Sequence, residues 1–183
     1  MAIPIRVLFR PEFCTAFLLI DDKHIDLDVK RVQAERLGLY EKEEFHITII
    51  GTETGEEILQ QLDGLQEEAK MLGLGKLQFL CTAFQWKVKL LNEYYYIKKF
   101  YSENKELESI TNKLEKRETI IQMARIENFT TFFKNLNQLF DTKFETSIPH
   151  VTLFANSNIE AKRLRGIGIY SKKQFLKLAP VRL

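Results

Sequence analysis

The sequence predicts a mixed α+β domain built from two similar halves. In each half an apolar strand is followed by a helix and then by a second strand that carries a histidine. Phe17 in the first opening strand precedes His46 by 29 residues. Ile121 in the later opening strand precedes His150 by the same 29 residues. We therefore expect two lobes related by a pseudo-twofold axis, with the two histidine strands face to face across a groove.

Composition and charge narrow the possible classes of protein. A chain of 183 residues with 45% hydrophobic and 28% charged residues fits one globular domain, here a single bilobal domain over residues 1–183. The net charge of only +2 does not favour avid binding along a nucleic-acid backbone. A small nucleotide or a strand end is a better partner than a long duplex.

Cysteine usage and hydropathy indicate a cytoplasmic protein. Cys14 and Cys81 lie in apolar surroundings and are expected to be reduced core residues, although a disulfide in an oxidising compartment stays an alternative. The N-terminal segment has no long apolar run of the kind found in signal peptides. No apolar stretch approaches the length of a membrane span.

The predicted elements follow from hydrophobic periodicity and from glycine and capping signals. The first half is expected to contain an extended opening, a strand at 13–20, a helix from 28 to a glycine at 38, the first histidine strand at 45–50, and a helix at 54–72 that ends at two glycines. The second half is expected to contain strands at 76–84, 86–91 and 94–100, a polar helix capped by Ser102, a strand at 118–126, an amphipathic helix from 127 or 128, the second histidine strand at 149–154, a helical turn at 159–165, a short strand at 166–170 and a closing element.

Two segments share the pattern histidine, apolar, threonine, apolar: FHITII and PHVTLF. In a strand, residues i and i+2 point to the same face, so His46 projects with Thr48 and His150 projects with Thr152. A single histidine on an apolar strand is more often a packed core residue than a catalyst. The pairing favours catalysis, because two of the three histidines in the chain occur in this pattern.

Two imidazoles and two hydroxyls in one cleft suit the cleavage of a phosphate ester. One imidazole would remove a proton from the attacking oxygen and the other would donate a proton to the leaving oxygen, since the histidine pKa of about 6.5 allows both roles near neutral pH. The threonine hydroxyls would bind the non-bridging phosphate oxygens. Neither motif offers the clustered histidine and carboxylate ligands of metal hydrolases, so we expect no metal and no cofactor.

The paired motif resembles the two-histidine (2H) phosphoesterase superfamily, which includes RNA 2',3'-cyclic phosphodiesterases, 2'-5' RNA ligase-like proteins and 2',5'-oligonucleotide phosphodiesterases. By that resemblance His46 and His150 match the catalytic histidines. Thr48 and Thr152 match the threonines that orient the phosphate. Gly51 falls where several members place a glycine at the end of the first motif strand.

The resemblance implies a two-lobed α+β fold in which each lobe is an antiparallel sheet with helices on its outer face and the active-site groove lies between the lobes. It covers the two motifs residue by residue and the rest of the chain in layout. Many members carry a basic residue shortly after the second motif, where this chain has Phe154, Ala155 and Asn156.

Four further residues are candidates for substrate binding. Tyr96 and Lys98 share a face of the predicted hairpin, and aromatic rings beside lysines can stack bases and contact phosphates. The alternative is an ordinary half-exposed hairpin without a ligand. Arg125 and Tyr170 are candidates from their placement in predicted strands alone.

The sequence thus predicts a monomeric, metal-independent phosphodiesterase that acts on RNA-type phosphodiesters, without a membrane partner. The substrate would be an RNA end with a 2',3'-cyclic phosphate or a small 2',5'-linked oligonucleotide. The alternatives are a nucleotide- or RNA-binding module with little catalysis, and RNA end ligation through the same groups. Which histidine starts as the base stays open at this stage.

Overall fold

The computed structural model describes residues 3–101 and 114–183, and these residues form eight strands and five α-helices. The strands are β1 (Arg6–Arg10), β2 (Thr15–Ile20), β3 (Tyr40–Glu41), β4 (Phe45–Ile50), β5 (Val88–Tyr101), β6 (Glu115–Ile126), β7 (His150–Ser157) and β8 (Val181–Arg182). The helices are α1 (Asp28–Arg36), α2 (Thr52–Asp63), α3 (Glu67–Ala83), α4 (Phe129–Phe140) and α5 (Lys172–Lys177). The mixed α+β class predicted from the sequence is confirmed.

The strands form one antiparallel sheet in the order β1-β2-β4-β7-β6-β5-β8, and the short β3 also pairs with β7. We call β1, β2 and β4 the first-motif half and β5, β6 and β7 the second-motif half. The two motif strands β4 and β7 are neighbours, joined at Ile47 and Val151. They therefore lie side by side in the sheet, where the sequence led us to expect strands that face each other across a groove.

The two halves of the sheet repeat the same register at an interval of 104 positions. Phe17 of β2 lies opposite Thr48 of β4, and Ile121 of β6 lies opposite Thr152 of β7. The pairing shifts immediately before Phe17 in one half and immediately before Ile121 in the other. The equal spacings seen in the sequence therefore correspond to equivalent positions in the sheet.

The main core lies between one face of the sheet and the first four helices. On β4 the side chains of Phe45, Ile47 and Ile49 are buried in this core. His46 and Thr48 alternate with them and are only partly buried, because successive strand residues point to opposite faces. The helices thus cover the apolar face and leave the face with the motif side chains free for another use.

The helices after the first motif differ from the prediction. The helix expected to run to residue 72 is two helices, because α2 ends at Gly64, and α3 continues through both glycines that were expected to stop it. Of residues 76–84, predicted as a strand, all but Phe84 belong to α3. Leu77 and Cys81 are buried four residues apart, so this apolar run is the core face of a helix. Short apolar runs of this kind fit either element in a sequence.

The predicted hairpin at 86–100 is also wrong. The strand β5 is a single 14-residue strand with a register irregularity between Leu90 and Tyr94, so Asn92 and Glu93 form a bulge within it. It pairs with β6 along one edge and with β8 along the other. The long partner β6 pairs with β5 on both sides of the bulge, so the chain does not reverse direction at Asn92 and Glu93.

The remaining predicted elements agree except near the C-terminus. The structure confirms the extended opening, the strand that precedes α1 and the strand that precedes α4. It also confirms both of these helices and the helical turn at Glu160–Lys162. Residues 166–170 do not join the sheet, contrary to the prediction. The helix expected after Ser102 falls outside the described residues.

Both cysteines are buried and free, as expected. Within residues 3–101 and 114–183, none of the helices combines the length and the apolar character needed to cross a membrane.

Candidate active site

A cavity of about 410 Å³ opens on the motif face of the sheet, where β4 meets β7. All four motif side chains line it: His46, Thr48, His150 and Thr152. Two segments that are about a hundred residues apart in the chain therefore contribute to one site.

The strand pairing arranges the four side chains in a crossed pattern. Because Ile47 pairs with Val151 in an antiparallel register, the residues on either side of this pair are brought opposite each other. His46 is therefore opposite Thr152, and Thr48 is opposite His150. Each imidazole has the hydroxyl of the other motif across from it, so the two motifs form one set of groups.

Cations surround His46. Its imidazole packs edge-on against the Phe17 ring, with centroids 5.0 Å apart, and the guanidinium of Arg10 lies 5.3 Å from the same ring. Burial lowers the pKa of His46 to about 4, and Lys42, His150 and Arg10 act in the same direction while Glu44 opposes them. The ring is therefore neutral at pH 7 and can accept a proton.

Backbone carbonyls surround His150 instead. Its Nδ1 lies 2.8 Å from the carbonyl oxygen of Ile148, so Nδ1 carries a proton. Burial lowers the pKa of His150, whereas hydrogen bonds to the carbonyls of Ile148 and Ile167 favour the protonated form. A second proton on this imidazole would thus have a backbone carbonyl as its hydrogen-bond acceptor.

Residues 164–170, which we call the covering segment, lie over the second-motif half. Ile167 and Ile169 are buried in a small second core with Ile121 and Phe175. Gly166 approaches Thr152 so closely that a Cβ atom at this position would lie 2.9 Å from the threonine Oγ1. A side chain at this position would therefore require the Thr152 side chain to move.

Two cations hold the covering segment by its backbone. The Nζ of Lys42 donates to the carbonyl of Leu164 at 2.6 Å, and Nη1 of Arg117 donates to the carbonyl of Gly166 at 3.3 Å. Both side chains also line the cavity. The position of the covering segment is thus coupled to charged groups within the site.

A buried carboxylate fixes Arg117. Glu115 is only 2% exposed and accepts hydrogen bonds from Nη2 of Arg117 and Nζ of Lys162, both at 3.1 Å. The hydrogen bond from Arg117, together with that from Lys162, lowers the pKa of Glu115 to about 2 although burial opposes the shift. The guanidinium also lies 4.2 Å from the centroid of the Tyr101 ring. Arg117 is therefore held rigidly next to the cavity.

The cavity lining is strongly cationic. Among the residues that the structure describes, the lining contains four positive side chains and one carboxylate, that of Glu145; the cations are Arg10, Lys42, Arg117 and Arg165. Such a lining favours an anionic ligand, because few negative groups of the protein itself compensate it.

Tyr170 closes the cavity at the end of the covering segment. A side chain at Gly51 would overlap the Tyr170 ring, and one at Gly168 would overlap the phenol. Burial raises the pKa of Tyr170, while its hydrogen bond with Thr52 opposes the rise. The glycine after the first motif therefore makes room for this tyrosine.

The other predicted substrate-binding residues lie elsewhere. Of the four, only Tyr170 lines the cavity. Tyr96 of β5 donates its hydroxyl proton to Glu118, and Lys98 and Arg125 are exposed on β5 and β6. The structure thus does not bring these three residues to the motif histidines.

Sequence reasoning missed Arg10, Lys42, Arg165 and the Glu115 to Arg117 pair. None of them belongs to a motif, and each reaches the cavity only because of the strand order and the path of the covering segment. Lys42 alone carried a usable signal, since it lies four residues before His46 in the approach to the motif strand.

Comparisons with protein-family models, with curated proteins and with solved structures found no match for this chain. In residues 3–101 and 114–183, no group of three or more histidine, cysteine, aspartate or glutamate side chains is placed to hold a metal ion.

Proposed function

We propose that this protein is a metal-independent phosphodiesterase that acts on RNA-type phosphodiesters, such as 2',3'-cyclic phosphate ends or 2',5'-linked oligonucleotides. The observation that carries the proposal is the crossed arrangement of two imidazoles and two hydroxyls around one cationic cavity. Two groups that can transfer protons, flanked by hydrogen-bond donors, are what in-line displacement at phosphorus requires.

The different surroundings of the histidines support a division of roles. Burial, together with the neighbouring cations, disfavours protonation of His46, so the ring is neutral and acts as the general base. Burial lowers the pKa of His150 as well, but backbone carbonyls favour its protonated form, so it acts as the general acid once an anionic substrate is bound. A phosphate anion between the rings raises the pKa of both imidazoles, because it favours their charged forms.

In the hydrolysis of a cyclic phosphate, His46 removes a proton from water as the water oxygen forms a bond to phosphorus. The bond from phosphorus to one ribose oxygen breaks, and His150 donates a proton to that oxygen. Thr48 and Thr152 donate hydrogen bonds to the non-bridging oxygens, where negative charge increases in the transition state. For a 2',5' linkage, the adjacent ribose hydroxyl attacks phosphorus, the bond from phosphorus to the 5' oxygen of the next nucleotide breaks, and the product is a cyclic phosphate. With the ribose bound in the same way the two roles are exchanged, so His150 removes the hydroxyl proton and His46 donates a proton to the 5' oxygen.

The fold offers independent support for a relationship to the 2H superfamily. The two halves share their strand register at an interval of 104 positions, and Ile47 and Val151, which pair with each other, are separated by the same interval. Equivalent residues that pair in an antiparallel ladder lie on a local twofold axis. This arrangement favours two lobes related by a pseudo-twofold axis, with the site at their junction.

The test is turnover of a substrate panel with EDTA present throughout. The panel contains 2',3'-cyclic nucleotides and 2',5'- and 3',5'-linked dinucleotides. We expect hydrolysis of a cyclic or 2',5'-linked compound by the unaltered protein and by the His24→Ala control, since His24 is not part of the cavity lining. The His46→Ala and His150→Ala variants should each lose activity.

Three results would overturn the proposal. Undiminished turnover by His46→Ala would show that the two histidines are not a catalytic pair. Binding of nucleotides without turnover from pH 5 to pH 8 would favour a binding module. Activity only in the absence of the chelator would indicate a metal hydrolase.

A further inference from the structure

Two of the cavity's cations, Arg10 and Lys42, lie close to His46. Arg10 and Lys42 both act on His46, and Lys42 is bonded to the carbonyl of Leu164, the residue before Arg165. Arg165 lines the same cavity as these two cations. Thr52 and the phenol of Tyr170, which also line it, are uncharged at pH 7.

The three cations have no carboxylate partner in the part of the chain that the structure describes. Arg117 differs from them, because Glu115 already compensates its charge. The charges of Glu43 and Glu44 raise the pKa of Lys42 from a distance, but both side chains are exposed. Burial has the largest effect on this pKa and lowers it. A cluster of like charges without counter-charges is unfavourable unless a ligand supplies them.

The sheet continues this charged surface beyond the cavity. Arg6 of β1 lies opposite Leu19, which lies opposite His46, so Arg6 and His46 share the motif face. Two strand spacings separate them, about 10 Å. Arg6 and Arg10 are both exposed on this face.

The second-motif half offers no such path. Ile121 and Met123, which lie opposite Thr152 and His150, are covered by the second core. Their counterparts Phe17 and Leu19 are only partly buried and are not part of that core. Among the described residues, the first-motif half is therefore the more open surface for a substrate larger than the scissile phosphate.

We propose that the substrate carries a further phosphate beside the scissile one, and that Arg10, Lys42 and Arg165 bind this second phosphate. The inference rests on the phosphodiesterase function proposed above and narrows its substrate class to an RNA end that bears a 2',3'-cyclic phosphate. In such an end the chain continues only from the 5' oxygen, so the second phosphate is the 5'-phosphate of the terminal nucleotide. A phosphodiester alone has one negative charge and would leave most of this cluster uncompensated.

The test compares a 2',3'-cyclic nucleotide with and without a 5'-phosphate, using kcat/KM at low salt. We expect the 5'-phosphorylated compound to be preferred about tenfold, since charge-assisted hydrogen bonds to phosphate are worth about this much. The preference should fall towards unity in Arg10→Gln and in Arg165→Gln, and it should weaken as salt is added. The Arg36→Gln control removes an exposed arginine of α1 outside the cavity and should keep the preference.

A preference near unity in the unaltered protein, or one that Arg10→Gln and Arg165→Gln leave unchanged, would overturn the inference. A binding measurement separates this result from a failure of the proposed function. Calorimetry with a nucleoside 3',5'-bisphosphate and a nucleoside 3'-monophosphate requires no turnover. Tighter binding of the bisphosphate that is lost in Arg10→Gln would support the second phosphate site even in a protein that hydrolyses neither substrate, and equal binding would contradict it.

Discussion

The two motif strands have the same pattern and the same register but different surroundings. His46 of the first-motif half lies beside Phe17, with Arg10 and Lys42 close by, on a part of the sheet that stays open. His150 of the second-motif half is bonded to the carbonyl of Ile148 and lies below the covering segment. The strand pairing thus makes the halves alike, and what is packed onto them makes them differ.

Under the proposed function, this difference would suit the two motifs to unlike chemical roles. A pair of identical motifs supplies two similar imidazoles, whereas acid and base catalysis needs one proton acceptor and one proton donor. Burial lowers the pKa of both rings, while the cations beside His46 disfavour its protonation and the carbonyls beside His150 favour that of the second ring. The variants that follow test this comparison, from the largest expected effect to the smallest.

Removing either imidazole should have the largest effect. We expect His46→Ala and His150→Ala each to lower kcat by about 10²–10⁴, the usual contribution of a positioned acid or base. The double variant should lose little more than the worse single variant, because the two groups act together. Both losses are measured with a cyclic nucleotide or a 2',5'-linked dinucleotide.

A substrate with a better leaving group separates the two roles. Bis(4-nitrophenyl) phosphate has no ribose hydroxyl, so water is the nucleophile, and the nitrophenolate that leaves needs no proton. His150→Ala should therefore recover most of its activity on this substrate, while His46→Ala should not. Recovery by His46→Ala alone would reverse the assignment, and equal behaviour of both variants would remove the distinction between the halves.

The Glu115→Gln variant tests what holds the covering segment over the second-motif half. The amide keeps the shape but leaves Arg117 and Lys162 without their carboxylate, and removal of one member of a buried pair costs about 3–5 kcal/mol. We expect a loss of about 3 kcal/mol in the free energy of unfolding, measured by urea denaturation. Glu160→Gln is the control, since this side chain is 88% exposed and its ion pair with Arg163 should contribute less than about 1 kcal/mol. Similar losses in both variants would show that the buried network does not hold the segment.

The lowered pKa of His46 predicts a pH dependence of stability. Below pH about 6.5 the unfolded chain binds a proton at this histidine, whereas the folded protein does so only near pH 4. The unfolded state thus binds more protons in this window, and the free energy of unfolding should rise with pH between about 4 and 6.5. We expect His46→Gln to remove about 2 kcal/mol of this rise after allowance for the partial exposure of the ring. A slope that His46→Gln leaves intact, or that the His24→Gln control also loses, would contradict the prediction.

The Gly166→Ala variant should affect activity through the motif threonine of the second-motif half. The new methyl group would lie 2.9 Å from Oγ1 of Thr152, so the hydroxyl must turn away from the cavity. We expect about a tenfold loss of kcat, the contribution of roughly one hydrogen bond, with a nearly unchanged melting temperature. Gly75→Ala is a matched control on α3, because nothing lies within 4 Å of the added methyl group. A variant Gly166→Ala with full activity would show that the position of the Thr152 hydroxyl does not matter.

The sequence predicted those parts of the molecule that depend on local pattern. Alternation along FHITII and PHVTLF correctly placed each histidine with its threonine on one face of a strand, and the phenylalanine stripe of α4 correctly indicated a helix against the core. The equal spacings of Phe17 and Ile121 from the histidines correspond to equivalent positions in the sheet.

What the sequence did not predict depends on tertiary context. Leu77 and Cys81 fit a strand as well as a helix until their burial against the core is known. Asn92 and Glu93 fit a turn until β6 is seen to continue past them. Arg10 and Arg165 line the same cavity because of the strand order and the path of the covering segment. No spacing in the sequence predicts the strand order or that path.

The central claim is that two distant imidazoles contact one phosphate, and proton NMR of the three histidines tests it most directly. The ring resonances of His46 and His150 would be followed while a nucleoside 2'-monophosphate, a product of the proposed reaction, is added, with His24 as an internal control. We expect both resonances to move with a single dissociation constant and both pKa values to rise, while His24 stays unchanged. Movement of only one of the two rings, or of neither at saturating nucleotide, would contradict the account.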